Sequence, residues 1–309
     1  MQHVGFASIS NPWLAKLMAL RSAPGRTPGR GVAPHKALLL ICLFDLADEN
    51  ELPRAITRTA SLALRFRAYG TLVSDRWPTR LDLRLPFYHL KSQGFWRAVD
   101  IQNNPAASPK TCVAVELDHT FHAAMLDPVF RLEARLVLTN TYFTPTERIA
   151  LLEAMGLSES HSAAEQTDQV IASVRENAKR KGRSARFQIG VVDGYYHTCA
   201  LTGYRCVTED GATVVDAAHI DGWAESQNDE LTNGLALSKT AHWMFDEGLW
   251  SVDDNLCVVV AASDRFSEAG SPGFQLRAFS GRELQFHPTT KLRPDLELLR
   301  AHRYENGLD

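Results

Sequence analysis

The fold class predicted for this 309-residue chain is a two-domain α+β protein, and three observations predict it. Residues 157–169, "LSESHSAAEQTDQ", are small and polar and read as a linker between two halves. Both structural periods occur: a long apolar stretch of helix length at 33–50, and strict alternation in "LDLRL" at 81–85. The charge also differs sharply between the halves. Residues 1–100 hold 14 basic and seven acidic side chains, whereas the whole chain is −3, so the remaining 209 residues carry about −10.

Taken in order, "RSAPGRTPGRGVAP" at 21–34 is a basic loop rich in Pro and Gly. "APHKALLLICLFDLADEN" follows as a helix, with Pro34 suited to its first turn and apolar residues on nearly every side, which predicts burial in a core. In "TRLDLRLPFYHLKSQGFWRAV" at 79–99, Leu81, Leu83 and Leu85 fall on one side and Asp82 and Arg84 on the other. That pattern predicts a half-buried strand ended by Pro86, with Phe87, Tyr88, Phe95 and Trp96 crowding the next turn. "PTERIALLEAMG" at 145–156 predicts a helix capped by Thr144 and stopped at Gly156. The stretch 169–196 is expected to be helical at both ends with a basic patch between, since residues 175–186 carry Arg175, Lys179, Arg180, Lys181, Arg183 and Arg186 against Glu176.

Composition narrows the function. At 45% hydrophobic and 22% charged residues, the chain has the make-up of a globular protein. The basic N-terminal half favours a polyanion partner; residues 54–97 alone carry nine Arg or Lys against Asp75 and Asp82. The five cysteines are odd in number and form no CxxC pair, which argues against a disulfide framework and a four-cysteine zinc site, so no structural zinc is expected. The longest apolar run, 37–44, is far shorter than a membrane span, and the N-terminus lacks the pattern of a signal peptide. A cytoplasmic protein without a membrane partner is expected.

The chemistry concentrates in 199–260. Val214 and Val215 begin a strand that delivers His219, a polar loop follows, and Asn233-Gly234 precedes a helix that Ser238 can cap. Ala241, His242, Phe245 and Asp246 lie about one turn apart on that helix. A strand-end His219, a loop Asn233 and a helical His242 can thus converge, and the reaction suited to them is metal-assisted phosphodiester hydrolysis. His219 would take a proton from water. A divalent cation, Mg²⁺ or Mn²⁺, would stabilise the phosphate and the leaving 3′ oxygen. Asn233 either fixes the loop that aims His219 or gives its amide oxygen to the metal, and His242 is a ligand. Trp223, Trp243 and Trp250 are read as core aromatics of a small domain.

The words around these residues, "C-x-x-T-G" from Cys199, "DAAHIDGW", "LTNGLAL" and "AHWMFDEGLWSV", resemble the His-Asn-His (HNH, ββα-metal) endonucleases over roughly 186–300. The sequence departs from many of these at Ala218, where a metal-ligating Asp or His commonly precedes the base. The metal set is therefore His242 with Asn233, Asp216 or Asp246. "APHKALLLICLFDL" and "RLPFYHLKSQGFW" are similar to the sulfur-binding domain of type IV restriction endonucleases, over about 10–155. That resemblance implies binding of double-stranded DNA carrying a phosphorothioate, through His35 with Lys36, and through Arg84, Leu85, Pro86 and His89. Leu85 stands where an aromatic is usual.

The expected architecture is an N-terminal mixed α/β DNA-reading domain at 1–155, a helical basic linker at 156–185 and a C-terminal ββα-metal nuclease domain at 186–309. The expected function is modification-dependent restriction of DNA by a metal-dependent endonuclease, with a homodimer as one way to cut both strands. Two other readings stay open: an HNH endonuclease acting on otherwise modified or unmodified DNA, and a DNA-binding protein whose HNH domain is inactive, which Ala218 favours.

Overall fold

The computed structural model describes residues 11–22, 31–49, 52–77, 81–157, 169–209, 211–222 and 226–308. The chain divides into two compact units, Met1–Gly182 with Glu209–Gly211, and Arg183–Thr208 with Ala212–Asp309. Residues 158–168 of the expected linker, and Trp223, lie outside the described residues.

The first unit is built on helices α1 (Pro12–Met18), α2 (His35–Asp48), α3 (Ala60–Leu72), α4 (Arg84–His89), α5 (His119–Leu126), α6 (Pro128–Tyr142) and α7 (Pro145–Ala154). Three short strands, β1 (Ala55–Thr57), β2 (Trp96–Val99) and β3 (Ala114–Leu117), form an antiparallel sheet with β3 in the middle. The apolar run makes α2 the core helix: every residue from Ala37 to Phe44 is buried. Pro34 sits at its N-cap position. The start of α7 is a reciprocal cap, Thr144 and Glu147 each accepting the other's backbone N–H, with Pro145 just inside.

The strand expected at 81–85 is a helix start. Asp82 accepts the Arg84 N–H at 2.9 Å, and Pro86 falls in the first turn of α4, where its missing N–H is tolerated. The residues that become buried, Leu83, Pro86, Phe87 and Leu90, have helical spacing and override a five-residue alternation. Leu85 is left 43% exposed.

Many of the basic side chains counted in the N-terminal half are neutralised internally. Arg65 pairs with Glu49, Arg76 with Glu147, Arg84 with Asp82 and Arg97 with Glu116. Arg131 and Arg135 of α6 are buried against Asp45 and Asp48 of α2. The surplus over acidic residues therefore does not tell which cations can meet a phosphate.

α8 (Gln169–Gly194) is one continuous helix, basic patch included, and the division between the units falls within it. The second unit then contains two antiparallel strands, β4 (Val215–His219) and β5 (Gly234–Ser238), followed by α9 (Lys239–Asp246). Next come a second antiparallel pair, β6 (Trp250–Val252) with β7 (Val258–Val260), and α10 (Leu296–Glu305). Leu235, Ala236 and Leu237 are fully buried, which is why β5 shows no alternation in the sequence.

Behind α9, Trp250 donates its indole N–H to Ala241 O at 3.0 Å. His302 of α10 stacks on Phe245 with ring centroids 3.9 Å apart and meets Ser251 Oγ at 2.9 Å. Burial pushes the His302 imidazole down to about 4, with only a weak opposing hydrogen bond to Phe245 O. In the unfolded chain the same group titrates near 6.5, so between those values the unfolded state binds more protons. Stability of this unit is therefore complete above about pH 6.5 and lost on acidification towards pH 4, by up to roughly 3 kcal/mol. Thermal melting of wild type and His302→Gln across pH 4.5–7.5 checks this. The variant is expected to lose most of the acid-side slope.

No helix among the described residues is long and apolar enough to cross a membrane.

Candidate active site and DNA-reading surface

His219 closes β4 opposite Gly234 of β5. Its ring lies flat on Phe187 of α8, centroids 3.8 Å apart and planes 6° from parallel. A Cβ on Gly234 would fall 2.4 Å from Val191 Cγ2 and 3.0 Å from Phe187 Cζ. The glycine is thus what lets α8 approach this end of the strand pair. His219 Nε2 is 3.2 Å from Asp229 Oδ1. A carboxylate only accepts, so Nε2 is the donor, and in the neutral imidazole this leaves Nδ1 the lone pair a general base needs. Asp229 Oδ2 in turn lies 3.9 Å from Arg183 Nε.

Asn233 is fully buried. Its Oδ1 accepts the Asp221 N–H at 2.9 Å, and its Nδ2 donates to Asp221 O at 3.2 Å and Asn228 O at 2.9 Å. The backbone carbonyl of Asn233 also accepts the Ile220 N–H at 2.9 Å. Of its two expected roles, the geometry fits the loop clamp. The amide oxygen faces the backbone of its own loop, so the expected metal role for Asn233 does not fit.

Asp216 is three residues before His219, and side chains alternate along a strand, so the two point to opposite faces of β4. Asp216 instead pairs with Lys239 at 3.8 Å. It thus lies on the opposite side of the strand from the base and is already engaged by a cation of α9. On α9, Ser238 caps the helix through Ala241 N, as expected. His242 Nε2 lies 3.5 Å from Asp246 Oδ2, one turn on. Burial pushes the Asp246 carboxyl above its ordinary range, with His242 pulling it down and Glu247 adding to the rise. Lys239, His242, Trp243 and Asp246 share one helical face. Trp243 is 57% exposed on it, not a core aromatic, whereas Trp250 is fully buried. Among the described residues no three His, Cys, Asp or Glu side chains form a metal cage. His242 with Asp246 is the pair of donors the geometry offers, and Mg²⁺ or Mn²⁺ suits so sparse a set because it keeps several waters.

In the first unit, His35 opens α2 edge-on to Trp77, with centroids 5.4 Å apart, and burial pushes its imidazole down. Lys36 Nζ donates to Arg21 O at 2.6 Å and Ser92 Oγ at 3.2 Å. His89, at the end of α4, is pushed down by burial and then by the charges of Lys36 and Lys91. Lys36, His89 and Lys91 therefore share one region. Two expected contacts differ. Arg84 is held in a fork on Asp82 at 2.8 and 3.0 Å, and Pro86 is buried, so Leu85 is the apolar side chain that this turn exposes.

Sequence reading missed Asp229, Phe187 and Arg183. They lie 10, 32 and 36 positions from His219, and no spacing rule joins them to it.

Comparison with known proteins bears on both units. Residues 199–253 match the family model described as HNH endonuclease. Residues 67–160 match that of the ScoMcrA-like DNA sulfur-binding domain. Among solved structures, the chain is similar to a "Modification dependent TagI restriction endonuclease" at 25% identity and a TM-score of 0.31, over 39% of this chain and 37% of that one. No curated protein matches the chain. The chain thus carries a segment that matches the HNH endonuclease model, preceded by a segment that matches the ScoMcrA-like DNA sulfur-binding domain model.

Proposed function

We propose that the protein is a divalent-metal-dependent restriction endonuclease directed at phosphorothioate-modified DNA. The observation that carries the hydrolytic reading is His219, held by Asp229 through Nε2 with Nδ1 left to accept a proton. Nδ1 takes the proton of a water whose oxygen attacks phosphorus, and the bond to the leaving 3′ oxygen breaks. A bound Mg²⁺ or Mn²⁺ would neutralise charge on the phosphate and on that oxygen, with His242 and Asp246 as its protein ligands. Lys239, 83% exposed on the same face, meets the DNA backbone, and Trp243 beside it offers a stacking surface. Each chain has one such centre, so a double-strand break requires a second copy or two successive nicks.

Sulfur is larger, softer and less hydrated than oxygen. Leu85 offers it an apolar contact while Lys36, His89 and Lys91 hold the remaining backbone charge. A contact with one such atom is worth about 1–3 kcal/mol, a tenfold to two-hundredfold preference. Incubation with phosphorothioated and unmodified plasmid in Mn²⁺, with and without chelator, tests the reading. Cutting confined to the modified plasmid and abolished by chelator is expected. Equal cutting of both supports an HNH endonuclease without sulfur preference, a reading that the buried Pro86 favours. In binding assays, Lys36→Met is expected to lower affinity for every DNA and to reduce the log–log salt slope by about one. An unchanged slope removes Lys36 from the phosphate contacts.

A further inference from the structure

The HNH reading leaves open what aims the base, and the loop between β4 and β5 carries a group the motif does not name. Asp229 takes Nε2 of His219 with one oxygen and faces Arg183 with the other. Phe187 fixes the plane of the imidazole from beneath. Asn233 does not touch His219 through any of its side-chain hydrogen bonds; it holds Asp221 and Asn228 by their backbones. Asn228 is the residue before Asp229. The clamp therefore fixes both ends of the segment that delivers the carboxylate.

We propose that Asp229 is the positioning residue of the nuclease site, and that Asn233 acts on the base through it. The inference rests on His219 being the base. The carboxylate binds the Nε2–H tautomer and so leaves the Nδ1 lone pair aimed at the attacking water. When that proton arrives on Nδ1, the imidazolium keeps its hydrogen bond to Asp229, and the charge forms beside an anion already in place. Arg183 holds the carboxylate from the far side. Phe187 limits rotation of the ring about its Cβ–Cγ bond, so the tautomer and the orientation are set by separate groups. An amide at 229 has the same shape but carries an N–H₂, which can donate to Nε2 and stabilise the opposite tautomer.

The test uses the full-length protein labelled with ¹⁵N-histidine, with the His219 ring resonances assigned by their loss in His219→Gln. In wild type, Nε2 is expected to be protonated and Nδ1 unprotonated. In Asp229→Asn the ring shifts towards the Nδ1–H form, and kcat for plasmid cleavage falls about a hundredfold or more, while KM and the melting temperature stay near wild type. Asp229→Glu is expected to restore the wild-type tautomer and part of kcat. A wild-type His219 protonated on Nδ1 overturns the proposal. So does an Asp229→Asn protein that cuts at the wild-type rate, or one whose lost activity tracks a lost melting temperature. Full activity in His219→Ala defeats the base assignment itself, whereas inactive His219→Ala beside fully active Asp229→Asn defeats only the positioning role.

Discussion

Replacing His219 with alanine is expected to lower plasmid cleavage by about 10²–10⁴-fold while DNA binding and folding persist, the range removed with a positioned general base. The imidazole is about one-fifth exposed and packs against Phe187, so the change removes one stack and one charge-assisted contact, not a core side chain. Asp229 keeps Arg183 beside it, which limits the effect on stability. The measurement is kcat in Mn²⁺ beside a gel-shift titration on the same DNA. Cleavage within a few-fold of wild type would remove His219 from the chemistry. A wild-type protein that binds DNA and never cuts it, with the variant indistinguishable, would instead support the inactive-nuclease reading that Ala218 favours.

The positions of His219, Asn233 and His242 at a strand end, a loop and a helix were legible because local sequence marks each junction: a β-branched pair before the first, Asn-Gly at the second, a Ser cap before the third. Junctions of this kind depend on neighbours a few residues away. Asp229 and Phe187 meet His219 by tertiary packing, and nothing within a turn of either residue announces it. The misread strand at 81–85 has a related cause. Leu83 is shared by a period-2 pattern and by a helical one running through Pro86, Phe87 and Leu90, and burial against α2 decides between them. Trp243 shows the limit of residue type as a guide. An aromatic on a short helix can face solvent as readily as the core, and here the exposed face is the one carrying His242.

Pairing decides which cations stay free, and Arg135 is one that does not. Its guanidinium is buried, 2.8 Å from Asp45 and also bonded to Asp48, while Tyr69 donates to the other Asp45 oxygen. Arg135→Met removes the cation and leaves a buried carboxylate facing an apolar chain, a change expected to destabilise the first unit by about 3–5 kcal/mol. Hydrogen exchange followed on peptides from α2 and α6 reads that loss locally, so the nuclease unit does not mask it. Adding Asp45→Asn is expected to restore at least about 1 kcal/mol, because the amide keeps an acceptor for Tyr69 and abolishes the stranded charge. Wild-type protection of α2 and α6 in Arg135→Met would mean that water reaches Asp45 and that the ion pair is not structural. Among the cations of the first unit, Lys36 and Lys91 bond neutral oxygens and form the set offered to DNA. DNA affinity should then fall with substitutions in that set and not with the total charge of the domain.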